Sequence, residues 1–74
     1  MMASLILLTA TRIDVYGAFI FKVEIAGMVR LITGDPGYAI AALAGMGVAS
    51  AEQLIRHAEE WGAVEIAPET NGER

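Results

Sequence analysis

Residues 18–33 read AFIFKVEIAGMVRLIT. From Ala18 to Ile25 the side chains alternate, with Phe19, Phe21, Val23 and Ile25 on one side and Ala18, Ile20, Lys22 and Glu24 on the other. A period of two marks a half-buried strand. Ala26-Gly27 reads as a tight turn, and Met28 to Thr33 as the next strand. A three-residue loop, Ala26 to Met28, sets Ile25 opposite Val29 and Val23 opposite Leu31. All four then share a face, and Glu24 meets Arg30 on the other. A two-residue loop instead sets Val23 against Arg30 and brings a charge to the core side. Because a slip of one residue flips every side chain, the first register is expected.

Working outward, Leu5 to Ile13 is rich in aliphatic and β-branched residues and reads as a strand. Its first half is apolar on both sides, as suits a central or interface strand. Asp14-Val15-Tyr16-Gly17 is the turn into the next strand. After the hairpin, Thr33-Gly34-Asp35-Pro36 announces a helix, with Asp35 as N-cap and Pro36 at the first helical position. That helix runs to about Ala44 and stops at Gly45-Met46-Gly47. Ser50 opens a second helix, in a capping box with Gln53. Leu54, Ile55, Ala58 and Trp61 form its apolar stripe, and Gly62 ends it. Val64-Glu65-Ile66 alternates as a short fourth strand.

The expected order is β-β-β-α-α-β, an α+β fold. A small antiparallel sheet of three to four strands carries both helices on one face. Residues 1–68 form one domain, and 69–74 a disordered polar tail. The uncovered face is expected to show Ile20 and, from the Leu5–Leu8 run, Leu8, as an interface with a second copy or a partner.

Composition narrows the function. Of the 74 residues, 55% are hydrophobic before the eight glycines are counted, whereas soluble domains average about 45–50% with glycine included. So small a domain cannot hide all of it. There is no cysteine and a single histidine, His57, so neither a disulfide nor a clustered zinc site is expected. Without a secretory h-region or a run of ~20 apolar residues, neither export nor membrane insertion is expected, and the cytoplasm is the expected compartment.

Chemistry-bearing constellations are scarce. His57 with Glu59 or Glu60 could be drawn as an acid–base pair, but no Ser or Cys nucleophile joins it. Asp14, Glu24 and Asp35 fall on a turn, a strand and a cap, not in a metal cluster. Gly34-Asp35-Pro36-Gly37 lacks the lysine of a phosphate loop. No enzyme activity, cofactor or metal is expected.

Ile40 to Ile55 resembles the helix-hairpin-helix motif, with Gly45, Met46 and Gly47 in the hairpin positions, Ala51 at the helix contact, and Leu54 and Ile55 in the core. That resemblance implies backbone amides offered to a nucleic-acid phosphate. The motif usually places Lys, Arg or Thr after the second glycine, where this chain has Val48-Ala49-Ser50. Such cations supply most non-specific DNA affinity. A plain αα-hairpin with a glycine turn accounts for the same signals, so nucleic acid is not the expected partner.

The charge is lopsided. Residues 1–49 balance three acids against three bases, so the whole net charge of −4 lies in residues 50–74. Glu52, Glu59, Glu60 and Glu65 are expected to form an acidic face that docks on a larger protein or ribonucleoprotein with a basic surface. Short, acidic and cysteine-free, with a few strands and one or two helices, the chain resembles the anti-CRISPR proteins of phages and mobile elements in overall build. The resemblance implies inhibition of a nucleic-acid-handling effector complex, by steric block or charge mimicry, in the cytoplasm of a host cell. A homodimer serving as a structural or assembly subunit is the other expectation, and the two are compatible.

Overall fold

The computed structural model describes residues 5–67, so the expected tail 69–74 lies outside the described residues. Strands β1 (Ile6–Arg12), β2 (Phe19–Ile25) and β3 (Met28–Thr33) are followed by helices α1 (Pro36–Gly45) and α2 (Ala51–Trp61), and then by β4 (Ala63–Ile66). The sheet has the order β3-β2-β1-β4, and every neighbouring pair is antiparallel. After α2 the chain returns to pair with β1, so the first strand ends up inside the sheet. Its apolar run follows from that position.

Both helices pack on one face. Ile6, Leu8 and Ala10 of β1 and Phe21 and Val23 of β2 are buried there against Ala39 and Leu43 of α1 and Ala51, Ile55 and Ala58 of α2. Leu8, Val23, Ala39, Leu43 and Ala58 are fully enclosed. Two of these are alanines, small enough to let backbone approach backbone, which is how a short chain closes a core with few large side chains.

The β2–β3 register differs from the expected one in an instructive way. Ile25 pairs with Met28 and Glu24 with Val29, yet Val23 still faces Leu31, because the ladder is irregular between Val23 and Glu24. Ala26 and Gly27 form a two-residue turn with φ of 54° and 78°, the left-handed values that tight hairpins require. Alone, that turn would carry Arg30 to the core side. β3 inserts Arg30 as an extra, exposed residue and returns Leu31 to Val23. The turn takes the short form, and the apolar pairing is recovered by a bulge.

The two helix starts also diverge. Asp35 Oδ1 accepts from the amides of Gly37 and Tyr38 at 2.9 and 3.4 Å, as expected. Ser50 stands at the N-cap of α2, but its side chain makes no cap hydrogen bond, so the expected capping box does not form. Its ψ of 45°, against 109° at Asp35, leaves the extended conformation from which a cap side chain reaches the helix amides. Asp35→Ala should therefore cost about 1–2 kcal/mol, and Ser50→Ala less than about 0.5 kcal/mol. Chemical denaturation of the two variants checks the contrast, and equal losses would contradict it.

Candidate functional site

The α1–α2 connection is a helix terminator. Gly47, at φ 93°, takes the left-handed position after α1. Its amide donates to the Ala44 carbonyl, the Val48 amide to Leu43 and the Met46 amide to Ala42 and Leu43, at 3.0–3.1 Å. This is the Schellman arrangement, with Val48 buried beside Leu43 as its apolar contact. All three amides are thus turned into the end of α1, which accounts for the glycine pattern without a phosphate.

On α2, burial of Ala51, Ile55 and Ala58 turns Gln53, Arg56 and Glu60 to solvent, with Glu52 and Glu59 on the flank toward α1. Arg56 donates to a Glu52 oxygen at 3.2 Å, both side chains being largely exposed. Such a pair contributes only a few tenths of a kcal/mol. Glu52 and Glu59 meet at a groove between the helices whose other lining residues are Pro36, Ile40, Ile55 and Arg56. Among the described residues, Glu59 and Glu60 form no ion pair.

Glu65 does not join them. Its neighbours Val64 and Ile66 face the helices, opposite Leu8 and Ile6, so Glu65 lies on the uncovered side of the sheet opposite Leu7. The expected acidic face is therefore divided: three glutamates on α2 and one across the molecule.

Trp61 is also displaced from expectation. It is 65% exposed rather than part of the apolar stripe. Its ring stacks on His57, four residues earlier, with centroids 4.7 Å apart and planes 20° from parallel. Among the described residues the imidazole makes no side-chain hydrogen bond to a nucleophile. Among the described residues no group of three His, Asp or Glu side chains converges as a metal site would require.

The uncovered sheet face carries Ile20 and Leu7, both half-buried, with exposed Val29 and Ile32 toward the β3 edge. Lys22 and Glu24 form an ion pair of 3.4 Å across its centre. Leu8, expected here, is instead fully buried on the helix side. The alternation of β1 assigns Leu7, not Leu8, to the open face.

The β1–β2 turn falls at residues 14–17, as expected, but the exposure of its two large side chains was not anticipated. Asp14 Oδ1 accepts from the amides of both Tyr16 and Ala18, at 2.9 and 3.0 Å. This Asx-type turn holds Val15 and Tyr16 84% and 90% exposed. The signal was available: two large apolar side chains between a turn-forming Asp and a Gly have no strand face on which to hide.

Among the described residues no helix is long and apolar enough to cross a membrane. Compared with known protein families, with characterised proteins and with solved structures, the chain matches none.

Proposed function

We propose that the protein is a small non-enzymatic binding module whose α2 glutamates dock on the basic surface of a larger protein. The observation that carries this reading is the position of Glu59 and Glu60. Both sit in the last turn of α2, which contains no basic residue. There the exposed carbonyls present a partial negative charge, so a carboxylate destabilises the helix by about 0.3–1 kcal/mol where a lysine would stabilise it. Two adjacent glutamates, unpaired among the described residues, are poor choices for that end of a helix and good ones for attracting a basic surface. A surface that ordinarily holds nucleic acid is the natural target. The reading thus extends to an inhibitor of a nucleic-acid-handling effector, CRISPR-Cas complexes being one such class.

A pull-down with tagged protein from lysate of the source cells, treated with nuclease and read by mass spectrometry, tests it. A stoichiometric protein with a basic groove is the expected catch. Recovery only when nuclease is omitted would favour nucleic acid as the partner instead.

Self-association is a second reading, compatible with the first. It is favoured by the uncovered sheet face with Leu7, Ile20, Val29 and Ile32, since exposed apolar patches mark interfaces. Light scattering at high protein concentration should report a dimer, and a monomer there removes this reading.

A further inference from the structure

The groove between α1 and α2 has a chemistry of its own. Pro36 and Ile40 of α1 and Ile55 of α2 give it apolar walls, and Glu52, Arg56 and Glu59 supply its charges. Its volume is about 340 Å³, at the lower end of ligand-sized clefts, which run roughly 300–1,000 Å³. Arg56 is already held by Glu52 at 3.2 Å. Two carboxylates against one cation leave one negative charge uncompensated, and Glu59, half-buried, is the one without a partner among the described residues.

We infer that this groove seats an arginine side chain presented by the partner protein, its aliphatic stem along Pro36 and Ile40, over the buried Ile55, and its guanidinium on Glu59. The inference rests on the acidic-surface reading above and specifies where that surface makes its anchoring contact. An arginine suits the groove for two reasons. Its three methylenes cover apolar wall that water wets poorly. Its planar head is more weakly hydrated than an ammonium and can meet a carboxylate with two parallel hydrogen bonds. A small hydrated cation would leave the walls unused, and an apolar side chain would strand Glu59. Buried arginines are also among the residues that most often dominate protein interfaces.

The test is an amide-detected NMR titration of the intact protein with N-acetyl-arginine amide at low salt, with N-acetyl-norleucine amide as the uncharged control. Saturable shifts centred on Ile40, Ile55 and Glu59, absent with norleucine and weakened about tenfold by Glu59→Gln but not by Glu65→Gln on the far side of the sheet, are the expected result. Shifts of equal size around Glu60 and Glu65 that ignore Glu59→Gln would mean diffuse attraction to negative charge. They would overturn the groove while leaving the acidic surface standing. No saturable shift at the groove overturns the inference as well. Failure of the acidic-surface reading is separately visible, as partner capture that is indifferent to charge reversal on α2.

Discussion

Phe21→Ala should remove about 3–5 kcal/mol of stability. The ring is 1% exposed, among the largest fully buried side chains of the protein. It faces Ala10 on one neighbouring strand and Thr33 on the other, with the Phe19 ring 6.1 Å away. None of these can swing in to refill the space: Ala10 is too short, and Phe19 is held at the strand end with the Arg12 guanidinium 5.3 Å from its centroid. The cavity therefore persists, and its cost adds to the lost burial. A chain of 74 residues has a total stability of about 4–11 kcal/mol on general grounds, so the loss is a large share of the whole. The variant's thermal midpoint should fall by roughly 15–30 °C. Circular dichroism melts check this, with Tyr16→Ala as control, since Tyr16 is 90% exposed and its loss should stay within about 0.5 kcal/mol. A Phe21→Ala variant that melts near the parent would place the core elsewhere.

The double reversal Glu59→Lys with Glu60→Lys should separate binding from folding. It raises the net charge from −4 to zero and sets two cations against the partner's basic surface. Juxtaposed like charges cost several kcal/mol across an interface, so affinity for the captured partner should fall on the order of 100-fold, with a slower association rate. Stability should move the other way. Lysines in the last turn of α2 complement the helix dipole, so the variant should be unchanged or more stable by up to about 1 kcal/mol. The nearby Arg56 offsets part of that gain. Surface plasmon resonance and chemical denaturation on the same preparations read both quantities. Unchanged affinity in a well-folded variant would sink the acidic-surface reading.

How far the fold could be read depended on whether a pattern had a parity. Residues 18–25 alternate, so the buried side of β2 was legible, and Asp35-Pro36 marked the start of α1 without ambiguity. Leu5 to Leu8 is apolar throughout and carries no parity, so nothing in it distinguishes Leu8 from Leu7, and only the pairing with Val23 buries Leu8 on the helix side. Glu65 illustrates a different loss. Flanked by Val64 and Ile66, it was legible as facing away from the core, but a charge count along the chain merges it with α2, from which the sheet separates it. The displacement of Trp61 was hidden because a helical period cannot say where the covering layer stops. The groove at Ile40 and Glu59 joins residues of different elements, and such a juxtaposition exists only after the helices pack.

The bulge at Arg30 has a consequence beyond register. β3 is an outer strand of the sheet, and Met28, Val29 and Ile32 along it are all more than 45% exposed. A straight strand of that composition invites a neighbouring molecule to add its own strand, and another after it, until a fibre grows. The extra residue breaks the even spacing of amides and carbonyls that such growth copies, and it puts an exposed, charged residue on the strand. The irregularity that rescues the core pairing on one side of β3 thereby keeps the molecule from becoming a template on the other.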